Sequence, residues 1–176
     1  MKLRRAVALV AALVALAAPA IAQDKQRERK PVEVRTIAAK PEDVATIDGI
    51  VKAFYEVISG PAGQPRQWDR DRTLYHPTIQ FFSVDVRGGK AIVRVMDHQE
   101  YVDSSDAFFV KNGFFEREVD RKTHNAGNVA QVWSTYETRT TADGPVTSRG
   151  VNSIQLVFDG TRWWITSVAW QSQNSQ

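Results

Sequence analysis

The apolar residues of the region that begins at residue 41 have the periodicity of a helix. Apolar residues recur at helical spacing, at Val44, Ile47, Val51, Phe54 and Ile58. Residues three, four and seven apart share one side of a helix, so the pattern predicts a helix with one buried face. Pro41 followed by two acidic residues suits a helix start. A second, shorter helix is predicted over 67–74, with Trp68 inward and Arg70, Asp71 and Arg72 outward.

The hydrophobic period changes to two after His76-Pro77. Two strands are predicted at 78–86 and 90–96, joined by a Gly-Gly turn. Asp97 and Glu100 then have the spacing of a capping box, which predicts a third helix that ends near Asn112-Gly113. The remaining chain predicts four long strands at 114–122, 129–141, 146–158 and 162–171, separated by turn-forming residues.

Early helices followed by late strands predict an α+β fold. We expect a curved antiparallel sheet with about three helices packed on its concave face, so that a conical volume lies between the two layers. A two-residue turn at Asp159-Gly160 would place Asn152 opposite Ser167 on the inner face of the sheet. Trp133 lies on the same or the opposite face, depending on the length of the turn near Asp143.

The same register places large apolar side chains on the outer face of the sheet, namely Trp164, Val168 and Trp170. An antiparallel sheet with one solvated face normally alternates apolar and polar residues. We therefore expect a second burial partner, for which a homodimer through this face is the leading interpretation. There are two alternatives to the homodimer: residues 23–40 cover this face, or the apolar residues on it are simply scattered surface residues.

The N-terminus has the pattern of a secretory signal peptide over residues 1–22. Three basic residues precede an apolar run from Ala6 to Ala18, and Ala20-Ile21-Ala22 suits signal peptidase. An uncleaved anchor is the alternative, but the run is too short to span a bilayer. We expect cleavage near Ala22, a periplasmic or secreted protein, and no membrane association afterwards.

Removal of the signal changes the charge of the chain. The sequence has 23 Lys+Arg and 20 Asp+Glu, and three of the basic residues lie within 1–22. The remainder is neutral, so nothing indicates a nucleic-acid partner, which needs a concentrated basic patch. Residues 23–40 are predicted to form a flexible basic leader, 41–171 the domain and 172–176 a polar tail. The chain has no Cys, so its core must stabilise it without disulfides.

Candidate chemistry is sparse. The three His show no metal-binding spacing, and no nucleophile-elbow or phosphate-loop motif is present, so we expect neither a metal nor a cofactor. His76 lies between a helix and a strand, where it could act as a general base in an opening to the interior. A purely structural histidine is the alternative. Tyr55, Asn152 and Ser167 could supply polar groups inside, and Tyr55 is a second catalytic candidate.

Three segments of the chain resemble the nuclear-transport-factor-2-like superfamily, and its SnoaL-like branch in particular. They are Trp68 to Phe81 with His76-Pro77, the run Gly150-Val151-Asn152-Ser153-Ile154-Gln155-Leu156, and the hairpin Asp159-Gly160-Thr161-Arg162-Trp163-Trp164-Ile165. The resemblance covers about 41–171 and implies a cystatin-like α+β cone with a deep pocket, often dimeric through the sheet. Enzymes of the family commonly place Asp or His in the pocket on late strands. This sequence has Ser167 and Ala169 at the positions predicted to be inward.

The sequence therefore favours an exported domain that binds a small, largely apolar ligand in a conical pocket. The predicted lining is Trp68, Phe81, Trp133, Asn152 and Ser167. One alternative is a cofactor-free isomerase or dehydratase with His76 as general base and Tyr55 or Asn152 polarising an oxygen. Another is a non-catalytic dimeric interaction protein with a filled core.

Overall fold

The computed structural model describes residues 30–173. The predicted signal peptide, residues 23–29 of the leader and the last three residues lie outside this part of the chain. Within 30–173, no helix has the length and apolar character needed to cross a membrane.

Residues 31–40 have no regular secondary structure, but they lie against the domain. The backbone N–H of Val32 donates to Asp103 Oδ1 at 2.7 Å, and Arg35 forms an ion pair with Asp69. The side chains of Val32, Val34 and Ala39 pack against the core. This part of the chain, predicted as a flexible leader, therefore belongs to the folded unit, which begins by Pro31 rather than at residue 41.

The described part of the chain forms four helices, and their bounds are Pro41–Val44 (α1), Ile47–Ile58 (α2), Trp68–Arg72 (α3) and His98–Asn112 (α4). The first predicted helix is interrupted at Thr46, whose backbone is extended and whose side chain accepts from Gly49 N–H as the N-cap of α2. The predicted capping box of Asp97 and Glu100 is present at the start of α4.

Residues 30–173 also form six strands in one sheet, and their bounds are Tyr75–Arg87 (β1), Lys90–Met96 (β2), Phe115–Ala126 (β3), Val129–Arg139 (β4), Ser148–Phe158 (β5) and Trp163–Ser172 (β6). The strand order is β2-β1-β6-β5-β4-β3. All neighbours pair antiparallel except β1 and β6, which are parallel. The predicted α+β class is confirmed, with one parallel pair in a sheet that was predicted to be antiparallel.

A bulge in β6 reverses the predicted faces of its second half. Leu156 pairs with Ile165, but the next pair is Gln155 with Ser167, so Thr166 is the extra residue. One extra residue moves every later side chain to the other face. Val168 is consequently fully buried and pairs with Ile154 on the inner face.

The predictions for three residues of β6 were therefore wrong. Ser167, predicted to line the pocket, lies on the outer face. Val168 and Trp170, predicted on the outer face, lie on the inner one, where the Trp170 ring is 6.0 Å from the Tyr101 ring. Of the predicted dimer residues, only Trp164 remains outside.

A second bulge acts in the same way on β3. The hairpin register from the Gly127 turn pairs Lys122 with Trp133 and Asp120 with Thr135. Val119 is then the extra residue, and Glu118 pairs with Tyr136. Without this bulge, Glu116 and Glu118 would share the outer face with Trp133; with it, both carboxyl groups lie on the inner face.

Candidate functional site

A cavity of about 510 Å³ lies between the concave face of the sheet and helices α2 and α4. Its volume falls in the range of small-molecule sites, roughly 300–1,000 Å³. Eight of the lining residues are aromatic, and they come from both layers of the fold: Phe54, Phe81, Tyr101, Phe108, Phe109, Phe114, Tyr136 and Trp170. This aromatic part of the wall favours a ligand with planar or ring-shaped apolar parts.

Among the polar residues that line this cavity, Glu116 and Asn152 form a hydrogen-bonded pair. Glu116 projects from β3, and Asn152 projects from β5, two strands away. Asn152 Nδ2 donates to Glu116 Oε1 at 3.1 Å and to the Tyr55 hydroxyl at 3.2 Å. Both hydrogens of the amide are thus used, and Asn152 itself is only 3% exposed.

The hydrogen-bond network continues from Tyr55 toward the surface. The Tyr55 hydroxyl is 2.6 Å from Ser134 Oγ, and Ser134 donates to Glu118 Oε1. Arg121 contacts both oxygens of Glu118, with Nε at 2.8 and 2.9 Å. Ser134 is fully buried, whereas the side chains of Glu118 and Arg121 are about one-fifth exposed, at 21% and 22%. A continuous chain of polar groups therefore joins the cavity wall to a surface ion pair.

Burial raises the pKa of Glu116 to about 8, and the hydrogen bond from Asn152 only partly opposes this effect. The carboxyl is therefore largely protonated at neutral pH. Burial also raises the pKa of the Tyr136, Tyr55 and Tyr101 hydroxyls, and the neighbouring Glu116 raises it further. These three groups therefore remain neutral hydroxyls throughout the physiological range.

Two of these hydroxyls are available to a ligand. Tyr136 and Tyr101 both line the cavity, and neither hydroxyl has a hydrogen-bond partner among residues 30–173. The same holds for Glu116 Oε2, since Asn152 contacts only Oε1. None of these oxygens is sealed in the protein interior, so they can bind a polar group of a molecule in the cavity.

Of the predicted site residues, Phe81 and Asn152 line the cavity. Tyr55 does not line the cavity itself, but its hydroxyl accepts a hydrogen bond from Asn152, which does. Trp68 forms a second layer: it stacks on Phe109, and its Nε1 donates to Asp106 at 2.6 Å.

Two predicted residues lie on the other side of the sheet. Trp133 is 46% exposed on the outer face, where it pairs with Ser153. The His76 ring packs 6.0 Å from Trp164, and its Nδ1 is 2.8 Å from Thr78 Oγ1. His76 does not line the cavity and is not placed to act as a base in it.

Sequence reasoning missed Glu116, Tyr136 and Tyr101. A signal for Tyr136 exists in its cross-strand partner Gly150, because a Cβ there would lie 2.4 Å from the Tyr136 hydroxyl oxygen. A glycine opposite a large aromatic residue is typical of close side-chain approach. Glu116 gave no such signal, because its inward orientation depends on the bulge at Val119.

A second polar cluster was also missed. Asp71, predicted to point outward, is fully buried, and its Oδ2 is 2.8 Å from His98 Nε2. The Tyr75 hydroxyl donates to Asp71 Oδ1 at 3.1 Å, and burial raises the Asp71 pKa. The cluster joins α3, β1 and α4 and does not line the main cavity. His98 is only 6% exposed.

No family model matches the chain, and no curated protein matches it. Among solved structures, an NTF2-like protein of unknown function from Shewanella baltica is similar at 16% identity, with a TM-score of 0.53 over 73% of this chain and 92% of that one. A cystatin-like-fold protein of unknown function from Nostoc punctiforme matches at 7% identity, with a TM-score of 0.54 over 73% and 90%.

The structure of LinA matches at 6% identity, with a TM-score of 0.54 over 73% of this chain and 84% of that one. Identities this low carry information on fold and none on activity. Together with the six-stranded curved sheet and its helical layer, the similarities identify the fold: the chain has the nuclear-transport-factor-2-like, cystatin-like α+β fold.

Proposed function

We propose that this protein binds a small, largely apolar molecule that carries one polar group. The observation that carries the proposal is the composition of the cavity wall. Eight aromatic side chains line a space of about 510 Å³, and Glu116, Tyr136 and Tyr101 each present to it an oxygen without a hydrogen-bond partner among residues 30–173. Apolar pockets with a few convergent polar groups are typical of small-molecule sites.

The binding proposal is tested by filling the cavity. Biphenyl is the probe, and its binding is followed by the fluorescence of Trp170 and the other tryptophans. Ser105 lines the cavity, whereas Ala107 is exposed on the same helix. We expect Ser105→Trp to weaken biphenyl binding at least about tenfold by occupying the space, which is a loss of about 1.4 kcal/mol. Ala107→Trp should bind as the unaltered protein does. Equal affinities for the two variants would contradict the proposal.

A second candidate function is cofactor-free proton transfer, with Glu116 as the proton-transferring group. The observation that favours it is the Glu116 pKa of about 8, since a general acid or base works best near the operating pH. Removal of a proton next to a ketone carbonyl would place negative charge on its oxygen. Tyr136 and Tyr101 could donate hydrogen bonds to that oxygen, which lowers the barrier.

Deuterium exchange distinguishes catalysis from binding alone. We expect the protein to accelerate exchange of the carbon-bound protons next to the carbonyl of α-tetralone in D₂O, measured by NMR. Glu116→Gln should abolish the acceleration. Asp85→Asn is the matched control, because Asp85 is a half-exposed carboxylate at the cavity rim. Binding of α-tetralone without any exchange would be consistent with the binding function and would exclude proton transfer.

We also propose that the protein works outside the cytoplasm after cleavage near Ala22. The proposal is supported by the basic, apolar and small-residue regions of residues 1–22. N-terminal sequencing of the protein from an extracytoplasmic fraction should give Gln23 as the first residue. Recovery of the uncut chain in the membrane fraction would favour an anchor instead.

A further inference from the structure

The hydrogen-bond chain behind the cavity has only one consistent direction. At its outer end, Arg121 contacts both oxygens of Glu118, which holds Glu118 as a carboxylate that only accepts. Ser134 must therefore donate its single hydrogen to Glu118. The Ser134 oxygen is then left as an acceptor, so the Tyr55 hydroxyl donates to it.

The direction of the chain fixes the orientation of the Asn152 amide. Because Tyr55 uses its hydrogen on Ser134, it presents only lone pairs to Asn152. An amide oxygen placed there would face another acceptor, so the amide nitrogen must face Tyr55. The same nitrogen donates its other hydrogen to Glu116 Oε1. The orientation of the amide thus follows from the hydrogen-bonding roles of its partners.

The remaining polar atom of the amide is the oxygen Oδ1. No residue in the described part of the chain donates to it, and it is not sealed from the cavity that Asn152 lines. On Glu116, Oε1 accepts from Asn152, so the proton of the neutral carboxyl belongs on Oε2, which has no partner among residues 30–173. Because Asn152 Nδ2 and Glu116 Oε1 are 3.1 Å apart, the acceptor Oδ1 and the donor Oε2 belong to two hydrogen-bonded groups of the same cavity wall.

We infer that the cavity selects ligands with a hydroxyl group, because a hydroxyl donates to Asn152 Oδ1 and accepts from Glu116 Oε2 at the same time. An ether or a ketone accepts only, and it leaves the amide oxygen without a partner. Ser134 and Tyr55 are positioning residues in this scheme, since they act on the ligand only through Asn152. The inference rests on the proposed binding function and specifies the chemical class of its ligand.

The test compares three probes of nearly equal shape: para-phenylphenol, its methyl ether and biphenyl. With the unaltered protein, we expect the phenol to bind about fivefold to tenfold more tightly than the ether, as the loss of one buried hydrogen bond predicts. If none of the three binds, the proposed binding function fails. If all three bind with equal affinity, the binding function stands and the hydroxyl selectivity is wrong.

Variants of the positioning residues test the mechanism of selectivity. In Ser134→Ala the Tyr55 hydroxyl loses its acceptor and is free to donate to Asn152, so the amide can turn its nitrogen to the cavity. We expect the preference for the phenol over the ether to fall to about twofold or less, with biphenyl affinity unchanged. Ser134→Thr keeps the hydroxyl and should restore the preference. Tyr55→Phe removes the same constraint and should act like Ser134→Ala.

Ser153→Ala is the matched control, because Ser153 lies on the same sheet but on its outer face beside Trp133. It should leave the preference unchanged. A phenol preference that survives both Ser134→Ala and Tyr55→Phe, in variants whose thermal unfolding shows a folded protein, would overturn the role assigned to the chain.

Discussion

At the scale of single residues, Glu116 is the group whose behaviour depends most on its surroundings. Its usual pKa is 4.5, and burial beside aromatic rings raises the value to about 8. Among residues 30–173, only Asn152 donates a hydrogen bond to the carboxyl. The stability of the protein therefore depends on pH, because Glu116 ionises at a lower pH in the unfolded chain than in the folded protein.

Glu116→Gln should remove this pH dependence. Below about pH 4.5 both states of Glu116 are protonated, so its ionisation costs nothing. Between that pH and about 8, the unfolded state releases the proton and the folded state keeps it, so the stability of the unaltered protein falls as pH rises. Each pKa unit is worth about 1.4 kcal/mol.

Thermal unfolding measured at about pH 5 and about pH 8 checks this prediction. The advantage of Glu116→Gln over the unaltered protein should grow by several degrees in Tm between the two conditions. The same comparison for Gln155→Ala, which changes no titratable group at an exposed position of β5, should show no such growth. A constant difference for Glu116→Gln would mean that its pKa is not raised.

At the scale of secondary-structure elements, the contacts between elements hold the cavity open. Strands β4 and β5 approach each other closely where Tyr136 faces Gly150. Helices α3 and α4 are joined through the Asp71–His98 pair, to which Tyr75 of β1 adds its hydroxyl. Both contacts involve buried polar atoms, so each is specific to one arrangement of the elements.

Gly150→Ala should push Tyr136 out of place. The added Cβ would lie 2.4 Å from the Tyr136 hydroxyl oxygen and 2.6 Å from the Gln171 carbonyl oxygen, so both must move. We expect a loss of about 1–3 kcal/mol in stability and weaker binding of biphenyl. Gln155→Ala, at an exposed position of the same strand, is the control. A Gly150→Ala variant as stable as this control would show that the sheet adjusts without cost.

His98→Ala should destabilise the packing of α4 on α3. It removes the partner of Asp71 and leaves a fully buried carboxyl without its imidazole. Leaving one partner of a buried hydrogen bond unsatisfied costs about 1–3 kcal/mol. Denaturant unfolding of His98→Ala measures this cost, and His124→Ala, at an exposed position of β3, should leave stability unchanged. Equal midpoints for the two variants would contradict the prediction.

At the scale of the whole molecule, the sheet has two very different faces. The concave face, with the helices, encloses the cavity, whereas the convex face carries exposed apolar residues such as Trp133 at 46% and Val157 at 38%. The central rows of the convex face, on β4, β5 and β6, have no charged side chain: Gln131, Trp133, Thr135, Val151, Ser153, Gln155, Val157, Trp164, Thr166, Ser167, Ala169 and Gln171. A second copy would therefore meet no like charge there.

The homodimer expected from the sequence stays a prediction. Its interface would contain Trp133, which is exposed on the convex face, instead of Val168 and Trp170, which lie on the inner face. We expect sedimentation of the unaltered protein to show a dimer and Trp133→Glu to shift it to the monomer. Ile37→Glu is the control, because Ile37 is equally exposed, at 45%, but outside the sheet. A monomeric unaltered protein would disprove the interface.

Local pattern in the sequence determined much of the fold. The apolar stripe of α2, the capping box of α4 and the turn residues between the strands depend on neighbours a few positions away, so they can be read directly from the chain. They were sufficient to predict the α+β class, the positions of the strands and the inward orientation of Phe81 and Asn152.

Only the tertiary structure decided which polar residues reach the cavity. Two single-residue bulges, at Val119 and Thr166, turn Glu116 and Trp170 inward and Ser167 outward. A bulge changes the face of every residue of the strand that lies beyond it, counted from the turn that sets the register. It leaves the hydrophobic pattern of a strand with two mixed faces almost unaltered, so the sequence carries little trace of it. The raised pKa of Glu116 likewise arises from groups on other elements, which meet only once the chain has folded.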